Sequence, residues 1–275
     1  MNRRRARAAA ALLGVATMLA TAGCAPSGPS AATQTPIPTA SAWWPALFAQ
    51  GHPAQGLGPA AAASASPSAT DPAATDAVQR ALARVGLRAA DFGDGVTVVL
   101  AQDGASLSQH SLAYCSATYP SEDQRVARRK VEVRTSDGQR VGVTSEVVLY
   151  RTPAEAAAAL HELEQAAASC PSPRTVTVSG DPLTVRQVPA TDVPVEGLVP
   201  SDRRTLVSNS VTDPKANATY RVVGVYQVRG RVLADLIATS AGTDFTSAEL
   251  TTLDALAAAV AGRLAALGST LTGAS

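Results

Sequence analysis

Twice in this sequence a pair of alternating apolar segments runs into a Thr-x-x-Glu cap, and then into an apolar stripe at helical spacing. A strand sends successive side chains to opposite faces, whereas a helix returns to one face every three or four residues. The change of period at a cap therefore marks a hairpin followed by a helix. The first such unit runs from about Leu112 to Cys170. Residues 125–135 and 141–150 alternate around Ser136-Asp137-Gly138. Their apolar sets, Val131 and Val133, then Val141, Val143, Val147 and Leu149, are all odd-numbered. Odd faces odd across a hairpin only when the loop has an odd residue count, which predicts a three-residue loop with Gly138 left-handed. Thr152-Pro153-Ala154-Glu155 is a capping box with proline at the first helical position. Ala156, Leu160, Leu163 and Ala167 form the stripe of the helix behind it.

The second unit runs from about Arg203 to Leu267, with strands near 204–211, 218–228 and 231–239. A two-residue turn at Arg229-Gly230 sets Tyr226 against Leu233, Val222 against Ile237 and Gly224 against Asp235. Both faces of this hairpin are apolar, so its strands belong in the middle of a sheet. Thr246 and Glu249 form a second capping box, with Phe245 and Leu250 as a staple. Leu253, Leu256, Val260, Leu264 and Leu267 make the stripe, and Gly268 ends it. Asp71-Pro72 opens an earlier helix carrying Val78, Leu82 and Val85, and segments 95–101 and 174–188 add edge strands. The expectation is one α+β domain over 71–268, a twisted antiparallel sheet with helices packed on one face, followed by a disordered tail at 269–275.

What precedes residue 71 is of another kind. Arg3, Arg4, Arg5 and Arg7 head an apolar run of 13 residues, Ala8–Ala20, and Thr21-Ala22-Gly23 leads to Cys24. That is the layout of an export signal over 1–23 whose mature protein starts at a lipidated cysteine carrying palmitate-type chains. The run is shorter than the roughly 20 residues a membrane span needs. Ala20-Thr21-Ala22 also reads as an ordinary cleavage site, which would release the protein with a free Cys24 thiol. Residues 24–70 carry no Lys, Arg, Asp or Glu and are rich in Ala, Pro, Ser and Thr, the composition of a disordered tether. Trp43-Trp44 within it suits either the membrane interface or packing onto the domain.

Removing the signal leaves 19 basic and 22 acidic residues, which excludes a basic nucleic-acid footprint and a polybasic membrane patch. Anchoring then falls to the acyl chains on Cys24. Cys115 and Cys170 remain as an even pair once Cys24 is lipidated, and an oxidising compartment joins them. A redox pair or metal site is the alternative, but no C-x-x-C occurs and no histidine is near either in sequence. Of the three histidines, His52 falls in the tether, His110 in a polar loop and His161 on a solvated helix face. H-E-x-x-H, G-x-S-x-G and phosphate-loop patterns are absent, so no catalytic residue, metal or cofactor is expected. Two features are candidates for ligand binding. Asp235 lies in an apolar hairpin, where it either faces a ligand or bonds an arginine such as Arg221. Arg128, Lys130 and Arg134 share one strand face with Glu132, and form either an anion site or a solvated outer surface.

The order of elements, Cys24, the tether, Tyr114-Cys115, Glu146-Val147-Val148-Leu149-Tyr150-Arg151-Thr152-Pro153-Ala154-Glu155, Cys170-Pro171 and Val223-Gly224-Val225-Tyr226-Gln227-Val228-Arg229-Gly230, resembles a known family. It is similar to actinobacterial envelope lipoproteins whose domain is like the extracellular sensor domain of PknH-type receptor kinases. The resemblance implies an α/β body with a ligand cleft. It departs in allowing one disulfide where the kinase sensor has two. Three functions follow as expectations. The first is a lipid-anchored, non-catalytic ligand-binding or sensor-like domain on the outer face of the cytoplasmic membrane. The second is an enzyme acting on envelope polymers, and the third a structural or assembly lipoprotein with an envelope protein partner.

Overall fold

Caps, turns and alternation set the local elements, and a computed structural model shows how they assemble. It describes residues 72–138, 140–178, 181–191, 193, 203–240 and 242–268. The segments expected as signal (1–23), tether (24–70, with Cys24, His52 and Trp43-Trp44) and tail (269–275), and Asp71, lie outside the described residues. Helix α1 (Pro72–Val85) leads to strands β1 (Val96–Leu100), β2 (Arg125–Thr135) and β3 (Arg140–Tyr150), then helix α2 (Pro153–Ser169). Strands β4 (Arg174–Val178), β5 (Asp181–Gln187), β6 (Arg203–Asp213), β7 (Ala218–Arg229) and β8 (Val232–Thr239) precede helix α3 (Ser247–Ala265). The strands form one antiparallel sheet in the order β1-β2-β3-β8-β7-β6-β5-β4. The two hairpin units thus join through β3 and β8, and the edge positions fall to β1 and β4 as the sequence leads one to expect.

Both capping boxes form as read. Thr152 Oγ1 accepts from Glu155 N–H and Thr246 Oγ1 from Glu249 N–H, and each glutamate accepts in return from its threonine's N–H. Parity across β2–β3 is also as expected: Val131 faces Ser145 and Arg129 faces Val147, with Gly138 at φ +83° in the turn. In β7–β8 the register differs by two residues. Arg229 pairs with Val232, so the turn is Gly230-Arg231, with Gly230 at φ +52° in its first position. A glycine there accepts the positive φ that opens the turn. A shift of two preserves which face each side chain takes, so only the partners change.

The helices do not share one face, and this corrects the expected layering. Leu82 and Val85 of α1 and Leu253, Leu256, Val260 and Leu264 of α3 pack with Val131, Val147, Val223 and Leu236. Leu160 and Leu163 of α2 pack with Val148, Val207, Val228 and Leu233. Val147 and Val148 are neighbours on one strand and point to opposite faces. Central strands apolar on both sides need cover on both sides, and α2 supplies the second layer.

Candidate functional site

The register places one row of polar side chains straight across the α2 face of the sheet. Lys130 pairs with Glu146, Glu146 with Asp235, Asp235 with Tyr226 and Tyr226 with Thr205. On one side of this row Val148, Leu233 and Val228 lie beneath α2, and on the other Ile237 and Val222 are only half-buried. Thr205 donates to Glu164 of α2 at 2.5 Å, so the row meets the helix at that end.

At the opposite end the row meets the long segment between β1 and β2. Its first residues bond β2, where the Lys130 N–H donates to the Gly104 carbonyl at 2.8 Å, and carbonyls further along take donors from side chains. Arginines of β2 supply them. Arg125 donates to the carbonyls of Gln109 (2.6 Å) and Leu107 (2.8 Å), and Arg128 to Ser106 (3.1 Å). Arg128 also grips Glu146 bidentately, Nε to Oε1 at 2.7 Å and Nη2 to Oε2 at 2.9 Å, the strong planar mode of an arginine–carboxylate pair. Both side chains are 2% exposed. Ser111 donates its hydroxyl to the same carboxylate, and Lys130 Nζ stands 4.0 Å away, a quarter exposed. Arg128 therefore does not lie on a solvated outer surface, which corrects that alternative for this residue, while Lys130 is partly exposed. Arg134 is not part of this assembly. It bonds Glu132 and the Gly138 carbonyl at the hairpin end.

Asp235 is not opposite Gly224, and Arg221 is not its partner. Asp235 faces Tyr226, and its Oδ1 accepts the Glu146 N–H at 2.8 Å. Arg221 points to the other face, where it bonds Ser208, the Pro189 carbonyl and Asp244. The space above Gly224 serves Tyr226. A Cβ at Gly224 would sit 2.6 Å from Tyr226 Cε2 and 3.2 Å from its hydroxyl oxygen. Tyr226 is 9% exposed and has little room to yield. Gly224→Ala is expected to lower stability by about 1–3 kcal/mol through overpacking, read as a shifted denaturant midpoint at unchanged slope.

Burial raises the Asp235 carboxyl to about 8, and the adjacent Glu146 carboxylate adds to the effect. Burial likewise raises Glu122, which is held by Arg125 and by the N–H groups of Ser111 and Leu112. An acid raised on folding holds more protons folded than unfolded between its two values. Its contribution is intact below the unfolded value of about 4 and is lost as pH rises through about 8. Asp235→Asn keeps the Oδ1 acceptor and removes this titration. Urea melts should show the variant equal to the native domain near pH 4 and more stable than it near pH 9.

The structure also joins Cys115 to Cys170, with Cα atoms 5.8 Å apart. The bond ties the β1–β2 segment to the C-terminus of α2, and Ser121 adds a tie by donating to Glu162. Beside it the Arg174 guanidinium stacks 5.0 Å over the Tyr114 ring, while Tyr114 donates its hydroxyl to Asn209. His110 stands 3.4 Å from Glu122, and His161 is exposed on α2. Sequence reasoning picked out Arg128, Lys130 and Asp235, which the fold brings together. It missed Glu146, a charge set in the apolar run of β3, and Tyr226, whose partner depended on the register.

A model of the PknH-like extracellular domain family matches residues 102–266, a span that holds the whole polar row and both cysteines. The crystal structure of the extracellular domain of PknH from Mycobacterium tuberculosis aligns at 14% identity with a TM-score of 0.44, over 66% of this chain and 95% of that one. No curated protein sequence matches.

Proposed function

Since the chain belongs to the PknH-like extracellular domain family, we propose that it is a non-catalytic, sensor-like domain, held on the outer face of the cytoplasmic membrane by acyl chains on Cys24, that binds its ligand along the Lys130–Asp235–Tyr226 row. The family match across the row is the observation that carries this reading. The row suits recognition. It sets a quarter-exposed cation at Lys130 beside the nearly buried Asp235 carboxyl, raised into the neutral range, and the nearly buried Tyr226 ring, with the β1–β2 segment folded over one end. Pockets that bind small molecules combine apolar walls with a few placed polar groups in this manner.

Acids with shifted ionisation also favour a hydrolytic reading. In this cluster Glu146 is clasped by Arg128 and Ser111, and Glu122 by Arg125 and two backbone N–H groups. Asp235 is left without a second carboxylate able to exchange a proton with a substrate, which supports binding over catalysis.

Mass spectrometry of the native protein after mild extraction from membranes tests the proposal. The expected spectrum shows acyl mass on Cys24 and a co-purifying small molecule that Lys130→Gln and Asp235→Asn release. Cys24→Ser should shift the protein from the membrane to the medium. Native protein recovered from the medium with a bare Cys24 would refute the anchor. Ligand retention in both row variants would refute the binding surface.

A further inference from the structure

On the opposite face of the sheet from the polar row, a cavity of about 240 Å³ opens between the last turn of α1, the turn after it, β1 and β2. Leu82, Leu87 and Val131 are buried around it, and Val98 is partly buried. Arg88 and Arg129 line it as well. Neither guanidinium has an ion-pair partner among the described residues.

The nearby acid is already engaged. Asp91 accepts both guanidinium nitrogens of Arg263, at 2.7 and 2.9 Å, and the backbone N–H of Arg88 at 2.9 Å. Arg263 also donates to the Val85 carbonyl, which holds α3 against the end of α1. The corner is thus braced by one neutralised arginine, while Arg88, exposed at the mouth, and Arg129, half-buried, line the cavity with no acidic side chain paired to either among the described residues. Like charges sharing one concavity repel, and low-dielectric walls strengthen their pull on an incoming anion. Arginine binds carboxylate and phosphate through its planar fork.

We propose that this cavity is a binding site for a small organic anion, with a carboxylate or phosphate head held by Arg88 and Arg129 and a short apolar body on Leu82, Leu87, Val98 and Val131. The volume equals roughly eight waters' share of the liquid, below that of drug-sized pockets, so the ligand is compact. The site does not depend on the polar row, which lies on the other side of the sheet.

The test uses the full chain with Cys24→Ser, so that no acyl chain competes, and methyl NMR of Leu82, Leu87, Val98 and Val131. The probes are hexyl phosphate and hexanoate, with inorganic phosphate and 1-hexanol as controls lacking either the body or the charge. The alkyl anions should shift these methyls in saturable titrations, at least tenfold more tightly than either control. The double variant Arg88→Gln, Arg129→Gln should weaken binding tenfold or more with unchanged thermal stability. Ala83→Leu, which fills the cavity and spares both arginines, should do the same, whereas Asp235→Asn should leave binding intact. Equal binding in the arginine double variant, or shifts confined to methyls around Asp235, would overturn the proposal. Binding to phosphatidylglycerol vesicles that the double variant abolishes, with hexyl phosphate inert, would assign the site to a membrane headgroup and overturn a soluble ligand. Methyl shifts in the unliganded chain that vanish on Trp43→Ala, Trp44→Ala would assign the cavity to the chain's own aromatic segment, and would also overturn it.

Discussion

Replacing Cys115 and Cys170 by serine is expected to lower stability by about 4 kcal/mol, because the bond closes a loop across a sequence separation of 55. The unfolded chain gains the entropy that the crosslink removed, and this gain rises only slowly with loop length. In a domain of this size that loss corresponds to a fall in melting temperature of roughly 8–16 °C. The bond also anchors the β1–β2 segment, where the carbonyls of Ser106, Leu107 and Gln109 take their donors from the side chains of Arg125 and Arg128. Reduction should therefore open that segment to proteases before the sheet gives way, and cleavage should map between β1 and β2. Calorimetry of the oxidised, reduced and serine forms checks the first expectation, and timed proteolysis the second. A fall of less than about 1 kcal/mol would mean that the reduced chain keeps the loop closed in its unfolded ensemble.

Arg128→Ala is expected to cost about 3–5 kcal/mol, the loss seen when one partner of a buried ion pair is removed. It strands the Glu146 carboxylate beside Asp235 in a site 2% exposed, with Lys130 and Ser111 left to meet it among the described residues. It also leaves the Ser106 carbonyl without its donor. Glu146→Ala should cost less, because Asp235 lies directly across the strand pair and offers Arg128 another carboxylate. Removing the Glu146 charge also withdraws one of the causes that raise Asp235, so its titration should move to lower pH. The double variant Arg128→Met, Glu146→Leu removes both charges, yet it still leaves the carbonyls that Arg128 served. It should recover only part of the loss, and a double-mutant cycle in urea would separate the two contributions. Full recovery would show that the ion pair, and not the carbonyl bonds, is what Arg128 provides.

Legibility in the sequence followed the range of each interaction. The β2–β3 parity could be read because alternation has a period of two and the loop is short. The β7–β8 register was missed by two residues because Gly230 fits either position of a two-residue turn, and both choices leave every side chain on the same face. The basic run on β2 looked like a solvated surface because nothing in a strand's own pattern announces that a distant segment will fold over it. Asp235 could be recognised as unusual from its apolar neighbours alone. Its partners, Glu146 on β3 and Tyr226 on β7, required the pairing of strands far apart in the chain.

By itself the amino-acid order determined the elements, their caps, the antiparallel α+β class and Cys115 and Cys170 as the cysteines to be joined. These depend on neighbours a few residues apart, where periodicity, turn geometry and side-chain chemistry act directly. Only the tertiary structure decided that α2 lies opposite α1 and α3, that β3 meets β8, and that Lys130, Glu146, Asp235 and Tyr226 form one row. The physical reason is that a strand buried on both faces is compatible with a helix on either side. The choice between sides, and the partner of each buried charge, is made by contacts between segments that are remote in the chain.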